Sequence, residues 1–572
     1  MEKIKNLQKS LSRLNLDGYI IPKNDEFFSS DIEPNEDRLR FISNFTGSYG
    51  LALILKKKNY LFVDGRYTVQ ANIQSSKSFK IETIPNSSPS KILKNKKYKI
   101  GFDPKLHTEL MLLNFFKKTK CKLIPLNTNL IDKIWKNKKK NKVKSFFLLK
   151  KKVVGQSYKT KTLKVSTKIK NNKMDLQFVT APENVAWLLN IRGNDYKFSP
   201  IPKSYLFIDK KNQLNFFCDL RKISNKIKKM LKKVNFMDID HIENFFIKTK
   251  NKKIQIDKNT CSVLFKNILK KNNKIFEMPD PIYALKSLKN KKEIKNITES
   301  HIYDGAALTK FLFWLKNTFK RKKITELSAQ NKLLNFRKNN KTFVSLSFPT
   351  ISGTGPNGAI IHYKADIRSN RVLKRGDIYL VDSGGQYNYG TTDVTRTISL
   401  ENNNKRIRKI FTRVLKGHIS VSSYKIKKNT CGAEIDLVAR KFLKQVKLDY
   451  AHGTGHGVGY FSNVHEGPQG ISRKNKVKLR EGMVISNEPG YYEKGKFGIR
   501  IENLIRVKKN NSFYKFVDLT MAPIDKSLIE KNLLSKTEIN WLNIYHAKVF
   551  KNLKKFMNKK EIIDLKKSCS NI

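Results

Sequence analysis

The sequence concentrates histidine in one glycine-rich stretch, AHGTGHGVGYFSNVHEGP, at residues 451–468. The chain has nine histidines, and three of them, His452, His456 and His465, lie here. His452 and His456 are four residues apart, which on a helix would present both rings to one metal ion, but HGTGHGVG holds too many glycines for a stable helix. A helical zinc motif is therefore excluded, and these histidines must act from a loop.

Two aspartates are placed to share a cation by the segment DIYLVDSGGQYNYGTTDVTRTISL. Asp382 falls on the aliphatic side of a predicted strand, because successive side chains alternate between faces. The chain turns through GGQYNYG, and the midpoint between Asp382 and Asp393 falls at Tyr387 and Asn388. A hairpin folded there would put the two carboxylates opposite each other, about 5 Å apart at Cβ. Because like charges this close repel, a cation bound between them would relieve the repulsion.

A second segment, VISNEPGYYEKGKFGIRIENLIRV, repeats this arrangement. The midpoint between Glu488 and Glu502 is Gly495, inside the turn-like EKGKFG, so a second hairpin would again bring two carboxylates together. An isolated glutamate on an edge hairpin is common at a protein surface. Two hairpins of the same construction, flanked by apolar residues, favour a site instead.

Four carboxylates and one histidine would form an oxygen-rich site for a pair of hard or borderline divalent ions. Mn²⁺ suits these ligands better than a metal that prefers thiolates, although Co²⁺, Fe²⁺ or Zn²⁺ could also enter. Two ions about 3.5 to 4 Å apart can ionise a water, polarise a carbonyl and stabilise the oxyanion that forms. The pattern therefore predicts hydrolytic chemistry.

The segment ISGTGPNGAIIHY contains the pattern GxGxxG at Gly353, Gly355 and Gly358. A dinucleotide-binding loop needs a helix after it, whose N-terminus holds the pyrophosphate. Here Pro356 interrupts the loop and AIIHY predicts a strand, so a nucleotide site is rejected. What remains is a tight loop that delivers His362 from a strand.

Composition limits the elements that must position these residues. A chain of 572 residues predicts roughly three or four domains, and 39% apolar residues are enough to bury globular cores. Lysine and arginine exceed aspartate and glutamate by 117 to 47, a net charge of +70. The lysines are spread along the chain with abundant asparagine, so we expect weak, nonspecific binding to polyanions and no specific nucleic-acid partner.

Cysteine usage and hydropathy bear on location. The five cysteines are scattered and form no CxxC pair, so neither a disulfide framework nor a thiolate zinc site is predicted, and a cytoplasmic location fits. Ile4, Leu7, Leu11 and Leu14 form one face of an amphipathic N-terminal helix rather than a signal peptide. No apolar run is long enough to span a membrane, and no membrane partner is expected.

Three regions are predicted along the chain. Residues 1–140 hold strands in NFTGSYGLALIL and NYLFVDGRYTVQA and end in a lysine-rich linker, IWKNKKKNKVK. Residues 141–290 repeat the alternation of helices and apolar strands, with VAWLLNIRG, SYLFID and NFFCDL, so the two regions are related units. Residues 291–572 open with a helical pattern, KKEIKNITESHIYDGAALTKFLFWLKNTF, and hold nearly all the candidate chemistry.

Taken together, these motifs resemble those of the pita-bread metallopeptidases, and more narrowly the cytosolic three-domain Xaa-Pro aminopeptidases (aminopeptidase P). The resemblance rests on TISGTGPNGAIIHY, VDSGGQYNYGTTDVTRT, HGTGHGVGYFSNVHEGP and NEPGYYEKGKFGIRIEN. It extends through NFTGSYG, DGRYTVQA and VAWLLNIRG to the tail WLNIYHAKVFKNL. It implies an α/β (α+β) fold, with two related creatinase-N-like α/β domains followed by a C-terminal pita-bread catalytic domain.

The resemblance also implies a role for each acid and histidine. Asp382 would bind one metal ion, Asp393 and Glu502 would bridge two, and His456 with Glu488 would complete the second. A hydroxide held between the ions would attack the scissile carbonyl, with Glu488 as the proton shuttle. The family positions that line the substrate site and hold the scissile carbonyl, the intermediate and the proline are His362, His452 and His465, with Tyr492 and Arg500 in supporting roles.

The implied substrates are peptides with proline at the second position, and a homodimer is implied in the same way. An Xaa-Pro bond lacks an amide N–H and has a restricted φ, so a general peptidase groove serves it badly. Three alternatives stay open: a prolidase that cleaves only dipeptides, a creatinase-like enzyme that works without metal, and an inactive pita-bread module that binds a partner. The filled ligand positions argue against the last two, and the three-region architecture argues against the first.

Overall fold

The computed structural model describes residues 2–139, 142–401 and 404–572. The chain divides into two compact units, one of residues 1–151 with 156–282, and one of residues 152–155 with 283–572. Among the described residues, no helix combines the length and apolar character needed to cross a membrane.

The first half of the first unit is a six-stranded sheet in the order β4-β3-β2-β1-β5-β6. The N-terminal helix buries Ile4, Leu7 and Leu11 against it as predicted, whereas Leu14 lies past the helix end and is 47% exposed. The elements in chain order are α1 (Glu2–Arg13), β1 (Gly18–Pro22), α2 (Arg38–Ser43), β2 (Leu51–Leu55), β3 (Asn59–Asp64), α3 (Thr68–Gln74), β4 (Lys80–Ile84), α4 (Pro89–Ile92), β5 (Lys99–Phe102), α5 (Glu109–Phe116), β6 (Lys122–Pro125) and α6 (Leu130–Ile134).

The second half repeats this architecture in a sheet ordered β12-β11-β10-β8-β13-β14. Its strand directions match those of the first sheet, antiparallel for the two pairings that follow the first strand and parallel for the others. The elements along this stretch of the chain are β7 (Phe147–Leu148), α7 (Lys151–Val154, which falls mostly in the second unit), α8 (Tyr158–Asn171), β8 (Leu176–Val179), α9 (Pro182–Leu189), β9 (Ile191–Arg192), β10 (Tyr205–Asp209), β11 (Leu214–Cys218), α10 (Asn225–Met230), β12 (Val234–Asp238), α11 (Ile242–Lys248), β13 (Lys253–Ile256), α12 (Val263–Lys270) and β14 (Lys274–Glu277). The expectation of two related units is confirmed.

One strand prediction in this half is wrong. VAWLLNIRG forms most of α9 and the two-residue strand β9. Pro182 occupies the first turn of α9, where its missing N–H costs nothing, and Asn190 ends the helix in the left-handed conformation. The segment is buried on all sides, so its apolar run carries no period that separates helix from strand.

The lysine-rich linker is irregular where it is described. Residues 135–139 and 142–146 contain neither helix nor strand. Lys140 and Asn141, where the first domain boundary was predicted, lie outside the described residues, so that boundary stays a prediction.

The second unit consists of antiparallel strands covered by helices. Its longest helix, α14, spans 28 residues as the sequence predicts and begins at a capping box in which Asn290 and Glu293 exchange side-chain and backbone hydrogen bonds. The elements are α13 (Pro281–Ser287), α14 (Lys291–Thr318), α15 (Glu326–Lys338), β15 (Phe343–Leu346), β16 (Ile351–Thr354), β17 (Ile378–Ser383), β18 (Gly385–Tyr387), β19 (Gly390–Thr391), β20 (Val394–Ser399), α16 (Lys405–Ser422), α17 (Gly432–Lys444), β21 (Gly455–His456), β22 (Gly470–Ile471), β23 (Val484–Asn487), β24 (Gly490–Glu493), β25 (Phe497–Arg500), β26 (Asn503–Asn510), β27 (Phe513–Asp518), α18 (Lys536–Leu553) and α19 (Lys559–Cys569).

The first acidic hairpin has a different register from the predicted one. β17 and β20 pair with Asp382 opposite Thr395, not opposite Asp393. Tyr387 pairs with Gly390, so the two-residue turn lies one position later than predicted. Asp393 immediately precedes β20 and stands two residues before Thr395, so the alternation of the strand, extended by one residue, would make the two aspartates diagonal neighbours on one face.

The segment predicted to carry His362 on a strand is also different. Residues Gly355–Ala359 form a 3₁₀ helix and His362 lies in the turn that follows. The backbone of this 3₁₀ helix lies against that of residue 498, since a Cβ added at Gly498 would fall 1.8 Å from the carbonyl oxygen of Gly358. The rejection of a nucleotide loop is confirmed, because the described chain runs from β16 to β17 without an α-helix.

Candidate metal centre

The second acidic hairpin has the register predicted from its sequence. The pairing of β23 with β26 and the pairing of β24 with β25 have the same register. Asn487 pairs with Asn503 and Gly490 pairs with Arg500, so Glu488 lies opposite Glu502 between these two observed pairs. The turn is centred on Gly495, whose φ of +74° is a conformation that favours glycine. Both glutamates therefore lie where paired strands leave one sheet and enter the next.

His456 joins the two hairpins. Its Nε2 lies 3.4 Å from Asp393 Oδ2 and 3.5 Å from Glu488 Oε1. Ligand atoms of Asp393, His456 and Glu502 all lie within 4.8 Å of one another, a spacing that one metal ion can span. The strands thus bring three of the predicted ligands to one point and place Glu488 beside them.

The orientation of His456 leaves Nε2 available for coordination. Its Nδ1 lies 3.0 Å from the carbonyl oxygen of Gly457, and since a carbonyl only accepts, Nδ1 carries the proton. The amide of His456 donates to Ser486 Oγ, and that hydroxyl donates to Glu488 Oε1 at 2.9 Å. Ser486 therefore fixes two predicted ligands relative to each other.

The predicted carboxylate ligands are buried next to one another. Burial, followed by the charges of Asp382 and Glu488, raises the pKa of Asp393 well above its ordinary value. Burial and the charge of Asp393 do the same to the pKa of Glu502, and burial raises the pKa of Glu488 against the opposing effects of His456 and Arg500. Such a cluster needs positive charge that the surrounding side chains supply only in part.

The residues present fit divalent cations. Asp382 Oδ1 is buried and has no hydrogen-bond partner among the described residues, while its Oδ2 accepts from Arg500 Nη2 at 2.5 Å. A buried carboxylate oxygen without a donor is costly unless something else binds it. Oxygen donors with one imidazole suit Mn²⁺ and similar ions.

Thr395 is a site residue that the sequence reasoning missed. Its hydroxyl donates to Glu502 Oε2 at 2.7 Å and accepts from Arg500 Nε at 3.0 Å. The alternation in TTDVTRT places Thr395 on the same face as Asp393, which is the signal that could have found it.

Arg396 was also missed, and it supports the site from the opposite face of β20. Its Nη1 donates to the carbonyl oxygen of Glu502 at 2.7 Å, and its other nitrogens donate to the carbonyl oxygens of Pro523 and Ala522 and to the hydroxyl of Tyr545. The side chain is fully buried. An arginine within an otherwise uncharged strand is the only hint of this in the sequence.

Arg500, Tyr492 and His452 form a hydrogen-bonded chain that leads away from Asp382. Arg500 Nη1 donates to the Tyr492 hydroxyl at 2.6 Å, and that hydroxyl lies 2.9 Å from His452 Nε2. His452 Nδ1 lies 2.8 Å from the carbonyl oxygen of Gly453, so Nδ1 is protonated and Nε2 accepts from the phenol. Burial raises the pKa of Tyr492 to about 12, which keeps the phenol protonated at neutral pH.

The remaining predicted histidines are His465 and His362. The exposed ring of His465 contacts that of His456, with centroids 4.2 Å apart. His362 is half-buried and follows Ile361, whose carbonyl oxygen lies 3.5 Å from Arg500 Nη1. His465 is thus beside a predicted metal ligand, and His362 beside the arginine that contacts Asp382.

Comparison with known proteins gives the family. Residues 295–509 match metallopeptidase family M24, and residues 512–572 match the C-terminal region of that peptidase family. Residues 3–134 and 136–293 match creatinase/prolidase N-terminal domains. Xaa-Pro aminopeptidase 1 of Dictyostelium discoideum is 37% identical over 99% of this chain and 95% of its own. The chain belongs to the aminopeptidase P family of M24 metallopeptidases.

Another relative and two solved structures support this assignment to the family. A probable Xaa-Pro aminopeptidase P of Laccaria bicolor is 36% identical over 96% of this chain and 90% of its own. The crystal structure of an X-prolyl aminopeptidase from Caenorhabditis elegans, described as a cytosolic enzyme with a di-nuclear active site, superposes with a TM-score of 0.94 at 31% identity over 100% of this chain and 99% of that one. Prolidase from Pyrococcus furiosus superposes on 62% of this chain, with a TM-score of 0.50 at 25% identity. The aminopeptidase P likeness thus covers the whole chain, whereas the prolidase likeness covers part of it.

Proposed function

We propose that this protein is an aminopeptidase that releases the first residue from peptides with proline at the second position. The site would hold two divalent metal ions, through Asp382, Asp393, His456, Glu488 and Glu502. The observation that carries this proposal is the approach of His456 Nε2 to carboxylates from both hairpins, within a chain of the aminopeptidase P family.

Divalent ions bound there would supply an ionised water and a Lewis acid for the scissile carbonyl. Mn²⁺ is the proposed metal, because the ligand set is four carboxylates and one imidazole with no thiolate. Asp382 would hold one ion, Asp393 and Glu502 would bridge the pair, and His456 with Glu488 would hold the other.

Glu488 is the proposed proton shuttle. Ser486 donates to its Oε1, which fixes the carboxyl plane, and the backbone N–H of Glu488 donates to Thr454 O at 2.8 Å. A carboxyl group held this firmly beside the reacting bond can take a proton from the attacking water and deliver it to the leaving nitrogen.

The histidines and their partners are the proposed substrate-binding groups. The His452 ring, held in place by Tyr492 and Arg500, would line the substrate site next to the tetrahedral intermediate. His465 and His362 would hold the scissile carbonyl and the proline.

Prolidase chemistry is the alternative within the same family. A prolidase must accept a free proline carboxylate, whereas an aminopeptidase must accept a chain that continues beyond proline. Family membership over the full length, including both creatinase-type N-terminal domains, favours the aminopeptidase.

The proposal extends to organisation and location. We propose that residues 291–572 carry the chemistry and that residues 1–140 and 141–290 are the two related N-terminal domains. We also propose a homodimer that acts in the cytoplasm, in line with the description of the C. elegans neighbour as cytosolic. Sedimentation velocity over a range of protein concentrations tests the dimer.

The deciding experiment measures release of the N-terminal residue from an Xaa-Pro-Yaa tripeptide by metal-stripped protein, with and without Mn²⁺. An Xaa-Pro dipeptide and an Xaa-Ala-Yaa tripeptide are assayed beside it. We expect Mn²⁺-dependent cleavage of the Xaa-Pro tripeptide, none of the alanine control, and loss of activity in His456→Ala but not in the exposed His241→Ala. Cleavage of the dipeptide alone would move the assignment to prolidase. If none of the three peptides is cleaved with any divalent metal, an inactive binding module would be favoured.

A further inference from the structure

Helix α17 presents a buried ion pair to the loop that carries His452. Asp436 and Arg440 are one helical turn apart, and Arg440 Nε donates to Asp436 Oδ2 at 2.8 Å. Asp436 is 0% and Arg440 2% exposed, so the pair lies inside the unit. Burying two charges is worthwhile only where both are fully hydrogen-bonded.

Arg440 uses its remaining donors on the backbone of the histidine loop. Nη1 donates to Tyr450 O at 2.8 Å and Nη2 donates to His452 O at 2.6 Å. Nη1 also donates to Asp449 Oδ1 at 2.6 Å, and the guanidinium carbon lies 3.9 Å from the centre of the Tyr450 ring. One side chain therefore fixes the loop at three points.

Asp436 fixes the next part of the same loop. Its Oδ1 accepts from Thr454 Oγ1 at 2.6 Å, and that hydroxyl lies 2.5 Å from the hydroxyl of Tyr450. The carbonyl oxygen of Thr454 accepts from the backbone N–H of Glu488 at 2.8 Å. The ion pair is thus connected to the chain around the proposed proton shuttle as well as to His452.

We propose that Arg440 and Asp436 are positioning residues that set the place of the His452 ring, an inference that rests on the proposed function. The His452 ring is 4.9 Å from that of Tyr450, which Arg440 covers on one face, while its Nε2 meets the Tyr492 hydroxyl at 2.9 Å. Moving the carbonyl of His452 would therefore move the ring away from Tyr492.

The planar guanidinium of Arg440, with donors in several fixed directions, is what positioning the His452 loop requires. A guanidinium donates in several fixed directions within one plane and stacks on an aromatic ring, whereas a lysine ammonium is a single point charge on a flexible chain. Arg440→Lys keeps the positive charge beside Asp436 and loses the simultaneous contacts to the backbone at residues 450 and 452. Displacement of a reacting group by about 1 Å can cost about 100-fold in rate.

The test is a double-mutant cycle between Arg440→Lys and His452→Ala, with kcat and KM measured on the Xaa-Pro tripeptide. We expect Arg440→Lys to lower kcat/KM by about 10- to 100-fold, mostly in kcat, and to add almost nothing in the His452→Ala background. Asp436→Asn, which keeps the shape of the side chain, should show a smaller loss with the same dependence on His452. Arg413→Lys on α16 is the matched control, because its guanidinium donates to Phe442 O outside the histidine loop.

A second measurement is independent of activity. The rate at which diethyl pyrocarbonate modifies His452 is followed by mass spectrometry, with the exposed His465 as an internal reference. Release from Tyr492 should raise the relative rate at His452 in Arg440→Lys and in Asp436→Asn, and not in Arg413→Lys.

The outcomes separate the inference from the proposed function. Losses that multiply independently in the double mutant, or an unchanged reactivity of His452, would overturn the positioning role. If the wild-type protein cleaves no peptide, the proposed function fails, and the reactivity of His452 alone still decides whether Arg440 positions it.

Discussion

Thr395 donates its hydroxyl proton to Glu502 Oε2 across 2.7 Å, from the strand position directly opposite Asp382. The same hydroxyl accepts from Arg500, which in turn binds Asp382. Thr395 is therefore a neutral link between Glu502, a proposed bridging ligand, and Arg500, whose positive charge neutralises Asp382.

Removing this hydroxyl should weaken metal binding without disturbing the fold. Thr395→Val keeps the shape and leaves Glu502 and Arg500 each short of one partner, so we expect metal affinity to fall about 10- to 100-fold. Thr395→Ser restores the hydroxyl and should recover most of it. Titration of metal-stripped protein with Mn²⁺, followed by activity and by calorimetry, measures the affinity; equal losses in the valine and serine variants would contradict the role of the hydroxyl.

Asp393→Asn should have opposite effects on the metal-free and the metal-loaded protein. It removes one of the buried charges that raise the pKa of Glu502, so the metal-free variant should melt roughly 2–4 °C above the wild type. The wild type gains stability from metal in proportion to RT ln(1 + [metal]/Kd), and the variant should lose most of that gain.

Thermal melts of metal-stripped and Mn²⁺-loaded protein measure both effects. Asp564→Asn, a half-buried acid on α19, is the control and should change neither melt. A metal-free Asp393→Asn that melts below the wild type would show that the contact of Asp393 with His456 outweighs the repulsion between the buried carboxylates.

The consecutive tyrosines of β24 offer a matched pair. Tyr492→Phe breaks the link from Arg500 to His452, and we expect kcat/KM to fall about 10- to 100-fold, the cost of one hydrogen bond to an oriented group. Tyr491 points to the opposite face, where its hydroxyl lies 3.4 Å from Glu493, so Tyr491→Phe should stay near wild type. Steady-state kinetics on the Xaa-Pro tripeptide separates them, and comparable losses would show that the effect is structural.

His546 makes stability depend on pH. It is fully buried and accepts from the backbone N–H of Ile524, and burial, then the charges of Lys526 and Arg396, lowers its pKa to about 3. The unfolded chain binds a proton at this position near pH 6.5 and the folded chain does not, so stability falls as pH drops from 6.5 toward 3. The loss should reach about 2 kcal/mol at pH 5.

Unfolding by denaturant at several pH values between 5 and 7.5 measures this dependence. His546→Gln should reduce the slope of stability against pH, whatever its effect at neutral pH, whereas the exposed His241→Gln should leave the slope unchanged. An unaltered slope in His546→Gln would assign the acid sensitivity to other groups.

The acidic hairpins show what local pattern can and cannot predict. The register of Glu488 with Glu502 follows from a turn whose centre is one glycine at positive φ, and here the prediction is confirmed. The register at Asp382 was wrong by two residues, because GGQYNYG has several positions where the chain could turn and its sequence does not choose between them.

Supporting residues were beyond prediction for a different reason. Thr395 meets Glu502 at a separation of 107 positions, and Arg396 meets Pro523 at 127. Contacts over such distances depend on how strands and helices pack, which no local period encodes. The repeated architecture of the first unit was predictable, since both halves keep the same order of strand, turn and helix.

The attachment of Arg396 to the backbone at Ala522 and Pro523 has a consequence for the newly made chain. Ribosomes extend a chain from its N-terminus at roughly 5–20 residues per second, so the proposed ligands are synthesised one after another, before the segment that fastens Glu502 has been translated. The two N-terminal sheets contain no part of this site and can form earlier. Metal uptake is then a late event in the synthesis of each molecule, and a chain truncated before residue 522 would carry every ligand in its sequence and still lack the anchor that holds them together.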